Sequence, residues 1–459
     1  MSGALMSLVA YGAQDIYLTG NPQITFFKSV YRRHTNFAME NIQQTFSGNT
    51  DFGKRSTVTV SRNGDLINSA YVQVSLPSVS SDHWDGVSFP SNKTKDDYEL
   101  CWTNFVGLAL LQSVEVEIGG QPIDKHYSTW MYAWQELTMT SEKVDGYKRM
   151  VGGSDAAGWL LLGNASQENL LRIPLDFWFN INAGLSLPLI ALQYHEVKFV
   201  FNFEQFSNLV VLVDKSTGEH LHSSHWRLTG SAPNVLIDMF IDYIYLDTDE
   251  RRKFAQMSHE YLIEQIQQTE QSINVKNGGL SNQRLSFNHP CKELIWFFVR
   301  NDNQENNDWF NFSNATPGHE KVGGDLMKTA QLKLNGHPRF TPARDPLFFR
   351  QWQPFIHHTT IPDSNLYVYS FALRPEEHQP SGTCNFSRID NTHLELQMHS
   401  KEFRSPVYDY TDGSSGDDPH YNSADGGFVA PESVVMTVYA RNYNVLRIMS
   451  GMGGLAYSN

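Results

Sequence analysis

Cysteine is scarce in this chain. Cys101, Cys291 and Cys384 are the three thiols in 459 residues. An odd, sparse set is no disulfide framework and suits a reducing compartment. A surplus of positive charge is also missing: 49 acidic residues stand against 35 basic ones, a net of −14. That argues against direct nucleic-acid binding, which needs a basic surface. No stretch approaches the ~18 consecutive apolar residues of a membrane-spanning helix. The first basic residue is Lys28, so the apolar start at residues 4–11 has no charged region before it, and no secretory leader is expected. Gly3 stands one place too late for myristoylation. Asn92, Asn164, Asn311, Asn314 and Asn385 begin N-x-S/T triplets, but without a secretory route they are expected to stay unmodified.

Aromatic side chains, by contrast, are abundant. There are 28 Phe, 20 Tyr and 10 Trp, which favours strands and broad contact surfaces. The length exceeds the ~250–300 residues beyond which one core usually divides. Residues 1–25 lack a core pattern and read as an arm. Strands are expected at 26–36, 57–61 and 70–76, then a long exposed loop at 78–98. Val114, Val116 and Ile118 alternate with Glu115 and Glu117 ahead of Gly119-Gly120, the pattern of a half-buried strand and a turn. Trp130, Trp134, Leu137 and Met139 fall near helical spacing, so a short helix is inserted within 127–150. Val197, Phe199, Phe201 and Phe203 share one face of a strand, and 238–246 is another. Residues 247–268 begin with Asp and Thr capping residues and read as a short helix and linker.

The second half repeats the style. Residues 294–300, LIWFFVR, form a nearly continuous apolar run, as in a strand buried on both faces. Strands are also expected at 367–373, 392–398 and 433–447. The loop at 409–427 is exposed, its DGSSGDD (412–418) lacks calcium-loop spacing, and 449–459 is a small-residue tail. Three segments of the first half recur. VEIGGQP (116–122) matches LKLNGHP (332–338), offset 216; HEVKFVF (195–201) matches THLELQM (392–398), offset 197; and 238–246 matches 434–442, offset 196. The inserted helix accounts for the discrepant offset. An all-β chain is expected, with a sandwich or barrel in each half; the eight-stranded jelly roll suits this better than another sandwich, giving two tandem eight-stranded jelly-roll domains, a double jelly roll, with short helical insertions. The arm is 1–25, the first roll 26–249, a linker 250–268, and the second roll with its tail 269–459.

Five stretches carry a family likeness: LVAYGAQDIYLTGNPQITFFKSVYRRHTNFA (8–38), PLIALQYHEVKFVF (188–201), DYIYLDTDERRKFAQMSHEYLIEQ (242–265), NHPCKELIWFFVRN (288–301) and SFALRPEEHQPSGTCNFSRIDN (370–391). In these the chain resembles the double jelly-roll major capsid proteins of nucleocytoplasmic large DNA viruses. It departs from them at 177–184, where Ile181-Asn182-Ala183-Gly184 replaces an Arg-Asn-Pro-Gly type turn. The resemblance implies a structural protein of the virion shell, made and assembled in the host cytoplasm. It implies homotrimers that form pseudo-hexameric capsomers and tile an icosahedral shell. It also implies contacts with neighbouring capsomers, and with minor capsid proteins and the inner viral membrane through the arm residues Leu5, Leu8, Tyr11 and Tyr17.

Glu376, Glu377 and His378, with Arg388 and Asp390, crowd the excursion between two strands, where an acid–base group would be sought. No nucleophile or phosphate loop accompanies them, and they are expected to lock a loop or a subunit contact. Cys384 is expected to be structural. Arg32-Arg33-His34 and Arg251-Arg252-Lys253 lack the interleaved aromatics of a base-stacking surface. The latter run is expected on a solvated face or paired with Asp247, Asp249 or Glu250. His220, His222 and His225 have metal-like spacing, but no Glu follows the pair as a cupin enzyme requires. No cofactor and no catalytic residue is expected; the alternative is a jelly-roll carbohydrate-binding protein or a metal-dependent, cupin-like enzyme. Metal analysis of the purified protein separates them. The expected result is no stoichiometric metal, whereas metal lost on His220→Ala and His222→Ala would carry the enzyme alternative.

Overall fold

The computed structural model describes residues 6, 9–10, 12–87, 89, 93–153, 169–216, 220–275, 280–314, 324–399 and 433–457. Met1–Phe37 and Ala38–Asn459 are two separate units. In the first, the described residues include a helical turn, Ile16–Thr19, whose last residue donates from both its amide and its hydroxyl to the Asp15 carbonyl at 2.8 Å. The strand expected at 26–36 is not formed. A strand persists only where its backbone groups find a ladder, and here Phe26 and Phe27 stand 86% and 99% exposed.

In the second unit, eight strands build a first roll: β1 (Phe37–Gln44), β2 (Arg55–Thr59), β3 (Leu66–Leu76), β4 (Leu111–Ile118), β5 (Gln121–Tyr127), β6 (Asn169–Pro174), β7 (Val197–Phe203) and β8 (Leu236–Leu246). They pair as two sheets, β1-β8-β3-β6 and β2-β7-β4-β5. Eight more follow: β9 (His259–Asn274), β10 (Leu280–Arg284), β11 (Pro290–Arg300), β12 (Met327–Leu334), β13 (His337–Pro338), β14 (Tyr367–Ser370), β15 (Thr392–Met398) and β16 (Ser433–Met449). Their sheets are β9-β16-β11-β14 and β10-β15-β12-β13. Adding eight to each strand of the first roll reproduces the second. This is the double jelly roll, and the three sequence matches fall on its equivalent strands: β4–β5 on β12–β13, β7 on β15, and β8 on β16. Even the turns agree. Gly119 and Gly120 have φ of +60° and +80°, Asn335 and Gly336 +49° and +80°, the two successive positive values that a tight hairpin matched to strand twist needs.

Period-2 alternation sets the inner faces. On β3, Ala70, Val72, Val74 and Leu76 are buried between half-buried neighbours. On β7, Phe199, Phe201 and Phe203 stack in a row with ring centroids 6.3 and 6.0 Å apart. β11 is different, because it faces two cores. Leu294, Trp296 and Phe298 enter the core of the second roll, while Ile295, Phe297 and Val299 join the core that continues from the first. Phe297 lies on Phe312, centroids 4.1 Å apart. The continuous apolar run is therefore a strand shared between two apolar layers.

The insertion at 127–150 is two helices, α1 (Ser128–Thr138) and α2 (Ser141–Val151), because Met139 and Thr140 between them are extended; Gly152 at φ +80° ends the second. The 250–268 segment is not a linker. It comprises most of α3 (Thr248–Gln256), capped by Asp247, and the first residues of β9, which pair along their length with β16. Arg251 reaches Asp65 at 2.9 Å rather than the nearby acids, while Lys253 pairs with Glu250 at 2.7 Å. Residues 78–98 are not simply an exposed loop, since Val79, Trp84 and Tyr98 are buried and Trp84–Gly86 pairs with Trp226–Leu228. The tail adds a short strand, Met452–Leu455, beside β16. The loop at 409–427, including 412–418, lies outside the described residues.

A shared apolar layer couples the rolls. Chemical denaturation followed by tryptophan fluorescence is expected to show one transition. Phe297→Ala is expected to lower the unfolding free energy by about 3–5 kcal/mol. Two separate transitions in the unaltered protein would contradict the coupling.

Candidate assembly site

Charged residues interrupt the apolar strands at one place. A register shift between Cys291 and Glu293 opposite β16 makes a bulge, and bulges re-aim side chains. Lys292 and Glu293 there meet Glu264 of β9 and Arg441 of β16. Lys292 Nζ donates to Glu264 Oε1 at 2.8 Å and to the Glu377 carbonyl at 2.9 Å, and lies 5.0 Å over the Tyr443 ring. Arg441 forms an ion pair with the other Glu264 oxygen, reaches Glu293 Oε1 at 3.5 Å and donates to the Pro375 carbonyl at 3.0 Å. Its guanidinium also lies 3.9 Å over the ring of Trp134 from α1, so the cluster joins the first roll to the second.

His358 completes the group. It follows a short helix, α4 (Gln353–His357), which continues a π-helical turn, Phe348–Trp352. Nδ1 lies 3.1 Å from Glu376 Oε1, and Nε2 lies 2.9 Å from Glu293 Oε2. The second approach is off the hydrogen-bonding axis and counts as an ion pair. Glu376 also accepts from the Thr359 amide at 2.7 Å and from its hydroxyl. Thr360 then donates to the carbonyls of Leu137 and Met139, at 3.0 and 2.6 Å, at the end of α1.

Three carboxylates (Glu264, Glu293, Glu376) thus face Lys292 and Arg441, and a protonated His358 balances the charge at neutral pH. Burial works against the imidazolium, but Glu293 and Glu376 outweigh it and raise His358 to about 9. Burial would lift the Glu264 carboxyl, yet Arg441, His378 and Lys292 hold it at about 2. Glu293 and Glu376 are likewise held below the usual range by His358 despite burial. Lys292 falls to about 8, from burial and the repulsion of Arg441. A neutral, hydrogen-bonded cluster of this kind adds little net stability but is costly to break from one side.

The expected loop residues are only partly gathered here. Glu376 is in the network. Glu377 contributes its carbonyl, while its side chain pairs on the surface with Arg374 at 3.0 Å. His378 offers its carbonyl to the Tyr443 hydroxyl at 3.0 Å, and its ring is 3.6 Å from Glu264. Arg388 and Asp390 are exposed and lie outside the network. β14 ends at Ser370, leaving Leu373 73% exposed. Cys384 is half-buried and pairs in register with the buried Cys291 of β11, and both are free thiols. His220 bridges to Val213 and the ring of His222 caps a short turn at Ser223–His225. Among the described residues no group of three side chains is gathered to hold a metal. Tyr17 is 90% exposed; Leu5, Leu8 and Tyr11 lie outside the described residues. Asn311 is fully buried and bonded to Asp308, so its triplet is closed to modification. Sequence reading missed Glu264, Lys292, Glu293, His358 and Arg441. A signal existed: Lys292-Glu293 and Arg441 interrupt apolar strands, where an unpaired charge would not be tolerated. A cavity of about 20 Å³ beside Glu264 and Arg441, lined also by Asp124, His126 and Asp176, has room for about one water.

Comparison with known proteins places this arrangement. The family model "Major capsid protein N-terminus" matches residues 25–247, and "Large eukaryotic DNA virus major capsid protein" matches 250–454. The major capsid protein of Pyramimonas orientalis virus is 44% identical, with all of both chains covered. The chain belongs to the major capsid proteins of large eukaryotic DNA viruses. The major capsid protein of Paramecium bursaria Chlorella virus 1 is 39% identical over the whole of both chains. The quasi-atomic model of the PBCV-1 virus capsid superposes with a TM-score of 0.75 at 35% identity, covering 95% of this chain and 100% of that one. The Faustovirus major capsid protein, 15% identical over 97% of this chain and 96% of its own, shares the fold with a TM-score of 0.68. The capsid protein therefore has a structural role in the virion shell, where it associates with further copies of itself. Its buried ion cluster serves to hold loops and rolls in register.

That cluster gives the capsid protein a pH signature. His358 sits above its ordinary 6.5, so its contribution is complete below pH 6.5 and is lost as pH rises through 9. Glu264 sits below 4.5, and its contribution is lost only as pH falls through about 2. Lys292 acts in the opposite sense between pH 8 and 10.5, so the decline is expected to be steepest from 6.5 to 8. Scanning calorimetry should show Tm falling over that window. His358→Gln is expected to cost about 3–5 kcal/mol at pH 6 and to flatten the slope; an unchanged slope would disprove the assignment.

Proposed function

We propose that the protein forms homotrimers, and that the six rolls of a trimer make a pseudo-hexameric capsomer that tiles an icosahedral shell. The repeated strand order of the two rolls carries this reading. Two like units per chain, repeated by a closed threefold axis, give six like units around a ring. The aromatic excess suits subunit interfaces, where Tyr, Trp and Phe are enriched.

In this reading the protein is no enzyme. The expected assembly loop, Glu376 to Asp390, acts through its backbone and Glu376 to keep the second roll fixed. The arm, including Leu5, Leu8, Tyr11 and Tyr17, meets minor capsid proteins and the inner viral membrane; Phe26, Phe27 and Tyr31 leave 86–99% of their surface uncovered. Synthesis and assembly take place in the host cytoplasm, which suits the three free thiols. The net charge of −14 supports a shell protein that does not bind the genome directly.

Analytical ultracentrifugation tests the core of this. A trimer is expected, and a stable monomer would count heavily against it. Deleting residues 1–25 is expected to leave the trimer intact and impair shell assembly. Loss of the trimer itself would overturn that division of labour.

A further inference from the structure

The fold brings two of the three thiols face to face. Cys384 begins a two-residue strand, Cys384–Asn385, which follows β14 along one edge of β11. In register, Cys384 lies directly opposite Cys291, and Asn385 opposite Pro290. The next pair fixes that register: the Phe386 amide donates to the His289 carbonyl at 3.1 Å, and the His289 amide donates to the Ser387 hydroxyl oxygen at 2.8 Å. Residues directly opposite in an antiparallel ladder project to the same side. Here that side is the core of the second roll, where Cys291 is buried and Cys384 packs against the same cluster. Opposite residues have Cα atoms about 4.5–5.5 Å apart, inside the ~4.4–6.8 Å that a disulfide spans. Cys101 gives the contrast. It lies opposite Val211 in another strand pair, in a separate apolar cluster with Val211 and Val213.

The two facing thiols are unequal. Cys291 is fully buried, burial pushes its thiol well above the ordinary value, and its Sγ donates to the Glu293 carbonyl at 3.0 Å. Cys384 is half-buried. Burial raises its thiol too, but the Arg339 guanidinium pulls the other way. A cation beside a reachable sulfur favours the thiolate, which is the reactive form. Cys384 is therefore the sulfur that meets a reagent from solvent, and Cys291 the one that resolves the product.

We propose that Cys291 and Cys384 are a modification site, joined as a disulfide when a small peroxide reaches Cys384. The Cys384 thiolate attacks one oxygen of hydrogen peroxide. An S–O bond forms, the O–O bond breaks, and the leaving hydroxide takes up the proton that Cys384 gave. The Cys291 sulfur then attacks the Cys384 sulfur. The S–S bond forms, the S–O bond breaks, and the Cys291 proton leaves with that oxygen as water. Two thiols lose two electrons, and one peroxide becomes two waters.

The bond falls beside the charge cluster. Cys291 precedes Lys292 at the bulge of β11, and Cys384 ends the excursion that carries Glu376 and Glu377. The near end of that excursion is already held on β11, where the Phe371 amide donates to the Lys292 carbonyl at 2.8 Å. The disulfide ties down its far end and encloses residues 292–383. A reducing compartment keeps the pair open, so the tie is added after the chain has left one. This timing rests on the cytoplasmic assembly proposed above, whereas the chemistry of the pair does not.

The full chain is purified under reducing conditions, freed of reductant and treated with dilute hydrogen peroxide. The intact mass is expected to fall by two hydrogens, and a non-reducing digest to yield a peptide joining 291 to 384, with Cys101 still a thiol. Closing so long a loop is expected to raise Tm by about 5 °C, and dithiothreitol to reverse both changes. A sulfinic acid at Cys384 with Cys291 still open to alkylation, or a link to Cys101 or between chains, overturns the assignment. Cys384→Ser is expected to keep the Tm of the reduced protein and to lose the peroxide-induced gain; a gain that persists in it also overturns the assignment. Particles alkylated inside infected cells are expected to hold both thiols, and released particles the link. A link already present inside the cell overturns the timing and leaves the site standing, while peroxide-treated protein without the link overturns both.

Discussion

Glu264 and Glu293 lie out of water, with the half-buried Glu376 at their edge, beside Lys292, Arg441 and His358, and none of the buried charges could be there alone. An isolated charge in such a place would shift its pKa until neutral. The six persist because each carboxylate meets a cation and each cation also meets a carbonyl, a second carboxylate or an aromatic face. The segments that supply them are far apart in the chain: β9, β11, β16 and two loops. Any misplacement of one leaves a buried charge without its counterpart. The cluster therefore specifies a single arrangement more than it stabilises one. Its reach extends to the surface, since His358 ends the insertion that displays Trp352 and Phe355, and Glu376 anchors the loop that displays Leu373.

The two rolls have the same strand order and differ in what covers them. In the first, β3 and β8 bury one face and leave the other half-exposed, so apolar and polar residues alternate. In the second, β11 and β16 bury both faces, and the alternation disappears into LIWFFVR and into the long apolar stretch of β16. That contrast follows from α1, whose Trp130 and Trp134 lie against Tyr439 and Arg441 of the second roll's sheet. It is the physical difference between a sheet face covered within the chain and the equivalent face left half-exposed.

Much of this was legible in the residues. The alternation of β3, β7 and β15, the Gly-Gly and Asn-Gly turns, and the doubled apolar run each point to their elements by local rules. The repeat was readable because equivalent strands kept similar patterns. The failures have a common cause. The aromatic, β-prone stretch at 26–36 looks like a strand, but no local rule tells whether a ladder partner exists. The polar run at 78–98 hides Trp84, whose burial depends on a pairing with residues some 140 positions later. Of the charge cluster only Glu376 stands out locally, by its neighbours in sequence, while its partners in space come from elsewhere in the chain. Arg388 and Asp390 were grouped with it by proximity along the chain alone.

The sheet with no free face has a mechanical meaning. Two rolls that touched through a flat, wet boundary could shear past one another when a shell swells or is pressed from within. Here the side chains of β11 interlock with both layers, and Arg441 is held on both sides. No weak plane separates the rolls, so lateral force applied to one is passed to the other. Under internal pressure the chain would behave as one stiff plate, and a shell of such plates would yield first along the seams between chains.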